Sequence, residues 1–326
     1  MKIFALTIKQ ESGLLTELQS DTIYGHFCWR LKERLGDDKL TEFISLYKNK
    51  KPAFTLSDGL LQVSGVIRFP RPYIFKKPEL KETKSEKILE FVKRKTNKER
   101  DYLSFSELNS FLVSNDIKIE ENNDGERKKK ERKRKVSFIR EALRVSVQID
   151  RNTFGSSEGR LFSYNPKYTR DDVSYVVLIK VIDGSTYKSF ECENILKDVF
   201  NVGYGKKKSS GYGQFEVGDI SEFQSFDEPS NANAFMVLGN YLPDELDNIT
   251  PIGYDLNIKY GKLGEKFSGS DNPFKNPIAF LTAGSCFKTE SNNNFYGRVT
   301  EDKEISEVNY FAVQFGMPFT LKFKFP

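Results

Sequence analysis

The chain reads as an α+β protein, a βαββαβ unit broken by a long charged insertion and followed by a second, strand-rich and irregular C-terminal domain. Three observations predict this. Strand-like apolar runs alternate with two amphipathic helical stretches over residues 1–224. Residues 76–136 carry nineteen bases and thirteen acids, a sharp rise in charge density that marks an insertion. Residues 225–233 are rich in Ser, Asn, Asp and Pro and read as a linker to a domain over 234–326.

Taken in order, Lys2 to Ile8 is a strand, and Ser20-Asp21 offers an N-cap to a helix whose apolar stripe is Ile23, Phe27, Leu31 and Leu35. Gly36 can close that helix. His26 and Arg30 fall on its flank with Thr22 and Glu33. Leu60 to Phe69 reads as the second strand, ended by Pro70 and Pro72. Within the insertion, 86–95 and 107–113 are helix-like, and 126–135 is a basic tract of eight bases and two acids. Leu143 to Asp150 alternates apolar and polar, and with 160–164 it forms a hairpin whose polar face carries Arg144 and Gln148. Tyr175 to Ile182 is a buried-type strand, Phe190 to Val202 a helix, and Gln214 to Val217 the last strand of the unit. The order βαββαβ is the ferredoxin-like arrangement that also underlies RNA-recognition modules. The final residues alternate Phe319, Leu321, Phe323 and Phe325 with polar neighbours.

Composition narrows the function. Of 326 residues, 38% are hydrophobic and 30% charged, and 51 Lys+Arg face 46 Asp+Glu for a net charge of +5. Outside the tract at 126–135, 43 bases face 44 acids, so the basic balance reports one segment and does not by itself imply nucleic acid. The tract reads as a solvated segment, with contact to RNA or to an acidic neighbour as the alternative. Cys28, Cys192 and Cys286 are far apart and His26 is the only histidine, which excludes a local zinc cluster or a disulfide scaffold. One imidazole also leaves little room for nucleophile–base–orienter catalysis. No apolar run approaches the ~18 residues of a membrane span, so a cytoplasmic protein with reduced thiols, no cofactor and no membrane partner is expected.

The most specific local feature is Gly203-Tyr204-Gly205-Lys206-Lys207-Lys208-Ser209-Ser210-Gly211-Tyr212-Gly213, between a helix and a strand. Its spacing matches neither a dinucleotide fingerprint nor a P-loop. Its glycines free the backbone for positive φ and expose successive N–H groups, while Lys206, Lys207, Lys208, Ser209 and Ser210 supply cations and hydroxyls for phosphates. An ordinary solvated basic loop is the competing account. Paired acids at Asp37-Asp38 and Asp171-Asp172 read as turn or capping residues, and Asp150 beside Arg151 as a pair ordering the hairpin turn.

This loop is similar to the G-x-G-(basic/Ser)-G-h-G signature of the RAMP superfamily of CRISPR proteins. Asp21-Thr22-Ile23-Tyr24-Gly25-His26-Phe27 resembles that family's first-helix start, Ile149-Asp150-Arg151-Asn152-Thr153 with Gly159-Arg160-Leu161-Phe162 its hairpin, and Ala283-Gly284-Ser285-Cys286-Phe287 with Tyr296-Gly297 its ending. Together they resemble the Cas-five-like group, and within it the fourth subunits of type III-A (Csm) effector complexes. The resemblance runs from residue 2 to about 325 and leaves 76–136 unmatched.

The resemblance implies a non-catalytic subunit that grips the 5′ tag of the crRNA and docks the large polymerase/cyclase-like subunit and the first backbone subunit, with target RNA near the tag boundary. It places RNA contacts on the lysine loop, with Gly205, Gly211 and Tyr212, and on the first-helix face at Thr22, His26 and Arg30. A thumb-like insert marks the boundary, and Arg144, Arg151 and Phe154 of the hairpin complete the expected contacts. Tyr204, Tyr212, Phe154 and Trp29 are candidate stacking residues, core packing being the alternative for each. Two other functions stay open: an endoribonuclease processing precursor crRNA through His26, and a mainly structural docking subunit. Processing relatives carry the glycine loop near the C-terminus, whereas 113 residues follow Gly213 here.

Overall fold

A computed structural model describes residues 1–74, 101–115, 138–264, 272–301, 305–306 and 312–326. Strand β1 (Lys2–Gln10) is followed by helices α1 (Ser20–Leu35) and α2 (Asp37–Lys48). Strands β2 (Phe54–Leu56), β3 (Leu60–Val63), β4 (Val66–Pro70) and β5 (Tyr102–Leu103) lead to α3 (Phe105–Ser114). After β6 (Ile139–Glu141) come β7 (Arg144–Ile149) and β8 (Ser156–Tyr164), which pair as a hairpin, and β9 (Lys167–Thr169), which pairs back with β6. Then follow β10 (Val173–Val181), α4 (Gly184–Ser189), α5 (Cys192–Asn201) and β11 (Phe215–Glu222).

The main sheet has the order β11-β1-β10-β3-β4-β5, with β2 also on β10, and every pairing is antiparallel. β10 is central and buried along its length. Its Tyr175, Val177 and Ile179 face α1 and α5, joining Ile23, Phe27, Leu31, Ile195, Leu196 and Val199 in one core. Val176 and Leu178 face the other side. Each fully buried aliphatic or Phe side chain in such a core contributes about 1.5–3 kcal/mol.

The stretch Leu60 to Phe69, read from sequence as one strand, is a hairpin of β3 and β4. Ser64 and Gly65 have φ of 49° and 82°, the consecutive positive values that a two-residue turn between twisted strands requires. Phe190 to Val202 likewise divides, the helix α5 beginning at Cys192 after Glu191 adopts φ 47°. The last strand of the unit runs on to Glu222.

The helix-like stretch at 86–95 and the basic tract at 126–135 lie outside the described residues. Between them, residues 101–115 are part of the core rather than an excursion from it. Tyr102–Leu103 pair with Phe69–Pro70, and α3 buries Leu108, Phe111 and Leu112. Ser104 and Glu107 close a reciprocal capping box, Ser104 Oγ accepting the Glu107 N–H at 3.2 Å and Glu107 Oε2 accepting the Ser104 N–H at 2.9 Å. The helix-like stretch at 107–113 is this helix; averaging charge over sixty residues hid only that it belongs to the core.

The C-terminal part has strands β12 (Ala234–Val237), β13 (Ile249–Gly253), β14 (Leu256–Lys259), β15 (Ile278–Leu281), β16 (Cys286–Thr289), β17 (Val299–Glu301), β18 (Val313–Phe315) and β19 (Thr320–Phe323). A four-stranded sheet, β13-β16-β12-β19, packs on the second face of the main sheet. Met236, Leu238, Phe319, Leu321 and Phe323 share a core there with Leu60, Phe69, Val176 and Leu178, and Phe226 of the 225–233 segment is buried with them.

The start of α1 is tied to this C-terminal part. Neither Ser20 nor Asp21 is the cap expected from the sequence, because Gln19 precedes the helix without a side-chain cap. Ser20 Oγ accepts the Asn240 N–H at 3.0 Å. Asp21, 3% exposed, accepts from Lys259 Nζ at 2.7 Å, Gln314 Nε2 at 2.7 Å and Asn240 Nδ2 at 2.8 Å.

Candidate RNA interface

The loop between α5 and β11 rests on the connection between β1 and α1. Gly213 donates its N–H to Gly13 O at 3.0 Å, Gln214 to Ser12 Oγ at 2.9 Å, and Lys206 to Thr16 Oγ1 at 2.9 Å. Tyr204 closes the loop's neck by donating its N–H to Gly213 O at 2.8 Å. At Gly213, φ is 65° and a Cβ would sit 1.9 Å from Tyr204 O, so the neck admits only glycine.

Tyr204 anchors the loop and is not a stacking surface. It is fully buried, packs against Phe200 at 5.7 Å, and donates its hydroxyl to Glu17 O at 2.9 Å. Burial holds its phenol well above the ordinary range. His26 packs beside it, ring centres 4.8 Å apart, and His26 Nε2 accepts the Gly205 N–H at 3.1 Å.

Beyond Gly205 the chain turns outward. Lys206, Lys207, Ser209, Ser210 and Gly211 are exposed, Lys208 and Tyr212 half-buried. A single 3₁₀ turn over Lys208–Ser210 is flanked by Lys207 and Gly211 at φ 60° and 83°. The expectation that the loop offers a run of free backbone donors is corrected here. At least eight of its eleven N–H groups already donate within the chain. The groups this loop leaves for an anion are therefore mainly its lysine and serine side chains.

The β7–β8 hairpin stands opposite. Its register pairs Arg144 with Tyr164 and Ser146 with Phe162, which puts both aromatics on the face that carries Arg144 and Gln148. Lys207 Nζ lies 4.3 Å from the Tyr164 ring centre and 4.9 Å from that of Phe162. Tyr212 donates its hydroxyl to Tyr164 Oη at 3.3 Å. Hydrogen bonds from Ser146 and Tyr212, with the Lys207 and Arg144 charges nearby, lower the Tyr164 phenol below its usual value. Lys207, Tyr212, Tyr164, Phe162 and Arg144 thus make one basic-aromatic surface. Phe162 and Tyr164 were not among the expected RNA contacts, although the hairpin read over 143–150 and 160–164 already places them in one strand. Ser12 and Thr16 had no signal, since their role depends on where the loop lands.

Arg151 and Phe154 are exposed at the hairpin turn, on the order of 20 Å along the strands from Tyr164. Asp150 orders that turn by accepting the Asn152 N–H at 2.7 Å and the Thr153 N–H at 3.3 Å, rather than by pairing with Arg151. Phe154 is 85% exposed with φ 54°. On α1, Arg30 bridges to Glu33 at 2.7 Å and Thr22 Oγ1 accepts from Lys259 Nζ at 2.8 Å, so both already have protein partners. Trp29 is half-buried with Gly264 close against its indole nitrogen.

No protein-family model and no curated protein matches the chain. Solved structures do. A chain of a Csm1-Csm4 cassette in complex with cA4 is 15% identical with a TM-score of 0.61, covering 100% of this chain and 99% of that one. A chain of the Csm3-Csm4 subcomplex of the type III-A CRISPR-Cas interference complex is 21% identical with a TM-score of 0.60, covering 99% and 100%. Csm4 is the component common to the two assemblies. The fold is Csm4-like. The likeness takes in the C-terminal sheet that composition alone left irregular. Among the described residues no helix is long and apolar enough to cross a membrane.

Proposed function

We propose that this protein is the crRNA-binding subunit of a type III-A interference complex, gripping the 5′ tag through the lysine loop and the facing side of the β7–β8 hairpin. We read the β11-β1-β10-β3 core, with α1 and α5 on one face, as a ferredoxin-like RAMP domain. The observation that carries the proposal is Lys207 set over Tyr164 and Phe162. A cation over an exposed and a half-buried aromatic ring suits single-stranded RNA, whose phosphates seek charge and whose unpaired bases seek stacking partners. The large polymerase/cyclase-like subunit and the first backbone subunit are the proposed protein partners. They are named by analogy with the assemblies that contain the similar chains. Target RNA near the tag boundary and a cytoplasmic location complete the proposal.

The proposed role is binding without cleavage. Two facts support this: the imidazole of His26 already takes the Gly205 amide, and both carboxylate oxygens of Asp21 accept from Lys259. The test replaces Lys206, Lys207 and Lys208 by Ala and measures affinity for single-stranded RNA against salt. Weaker binding, with the salt slope reduced by about 2 units (~0.7 per lost phosphate contact), is expected. Unchanged affinity and slope would remove the loop from the site. Multiple-turnover cleavage of a labelled repeat RNA by the purified chain would replace the binding role with an endonuclease.

A further inference from the structure

We propose that His26 is a positioning residue for the lysine loop, its neutral imidazole holding the Gly205 amide so that the following lysines are set in their RNA-binding shape. This rests on the RNA-binding role proposed for that loop. It reassigns His26 from a group that touches RNA, or a base that attacks it, to one that acts through the backbone.

Gly205 donates its N–H to His26 Nε2 at 3.1 Å. An accepting Nε2 carries no proton, so in the neutral ring the proton sits on Nδ1. The ring lies against fully buried Tyr204, which is itself pinned by its hydroxyl bond to Glu17 O and its N–H bond to Gly213 O. The next amide, that of Lys206, donates to Thr16 Oγ1 at 2.9 Å. Two consecutive amides are therefore held by side-chain acceptors from two different elements, α1 and the β1–α1 connection. They sit at the point where the chain leaves the core and becomes lysine-bearing. Gly205 is at φ 77° and would bring a Cβ within 2.5 Å of Thr16, so the backbone has no alternative side chain with which to stiffen itself there.

An acceptor is what this position needs. A lysine at position 26 would present only donors to the Gly205 N–H and would add a cation beside three others. Direct contact with RNA makes the opposite demand, because a cation there would strengthen binding to phosphate.

The test uses the full chain and a short fluorescein-labelled single-stranded RNA, with His26→Gln, His26→Leu and His26→Lys compared by anisotropy. The Gly205 amide is followed in parallel by NMR without RNA. Gln keeps an uncharged acceptor and should bind within about twofold of the parent, while Leu and Lys should each lose about fivefold, the worth of one net hydrogen bond. The Gly205 amide resonance should move in Leu and Lys and stay near its place in Gln. Parent-like or tighter binding by His26→Lys with loss in His26→Leu would assign direct contact and overturn the proposal. Parent-like binding and an unmoved Gly205 amide in all three variants would also overturn it. The Lys206/Lys207/Lys208→Ala variant separates the two levels. If it binds RNA as the parent does, the RNA-binding role of the loop fails. If it loses binding while the His26 series is flat, only the positioning role fails.

Discussion

Asp21 and Lys259 are 238 residues apart in sequence and form an ion pair at 2.7 Å, joining the first turn of α1 to strand β14. The Asp21 side chain is 2% exposed and that of Lys259 23%. Removing one member of a buried pair leaves the other charge without compensation, which outweighs the modest net gain from forming the pair. Asp21→Ala should therefore destabilise the fold by about 3 kcal/mol, at the low end of the buried range because Lys259 keeps some water. Calorimetry is the check. A loss under about 1 kcal/mol would class the pair with exposed bridges.

Asp58 supplies a pH dependence of defined sign. Its carboxylate accepts the Ser20 N–H at 2.7 Å, and burial, with Asp21 nearby, pushes its pKa from 3.8 up to about 7. A raised folded value means that the unfolded chain releases this proton first. The contribution is present in full below pH 4 and is lost as pH rises through 7. Asp58→Asn keeps an acceptor for Ser20 without the charge. It should match the parent near pH 4 and exceed it at pH 8 by about 1–3 kcal/mol, read from denaturant midpoints. A stability difference independent of pH would mean that Asp58 is ionised in the fold.

Two glycines of the loop should respond differently to Ala. Gly213→Ala brings a Cβ to 1.9 Å from Tyr204 O and should displace the loop, costing stability and RNA affinity together. Gly211 has φ 83° with nothing within 4 Å of a Cβ, so Gly211→Ala should cost about 1 kcal/mol of backbone strain and little affinity. Equal effects in thermal melts and RNA titrations would show that the neck contact is not what shapes the loop.

Phe162 is 44% exposed on the face that meets Lys207. Phe162→Ala should weaken single-stranded RNA binding by about 1–3 kcal/mol with the salt slope unchanged, since stacking releases no counterions. The reverse pattern, a changed slope at constant affinity, would remove the ring from the interface.

Much of the fold was legible because its signals are local. Alternation marked β7, a nearly continuous apolar run marked β10, a 3.6-residue stripe marked α1, and glycine spacing marked the loop, each over about a dozen residues or fewer. The break at Ser64-Gly65 was missed because the flanking strands are apolar on both sides of it, so hydrophobicity runs on while the backbone reverses. The residues of the loop were legible as a cationic cluster, but not the burial of Tyr204 or the exposure of Phe162. An aromatic ring has the same sequence signal in a core as on a surface.

The sequence by itself determined the alternation of strands and helices, the position of the lysine loop between α5 and β11, and the lack of a histidine-rich or sequence-local zinc motif. Only the tertiary structure decided what the polar residues do. Asp21, apparently a cap, became the partner of Lys259, and His26, apparently a ligand or base, became the acceptor for an amide 179 residues away. The reason is physical. Capping and periodicity are set by neighbours along the chain, whereas a buried charge or imidazole must be matched by whatever donor the packed fold brings within about 3 Å, and that donor can come from any point in the sequence.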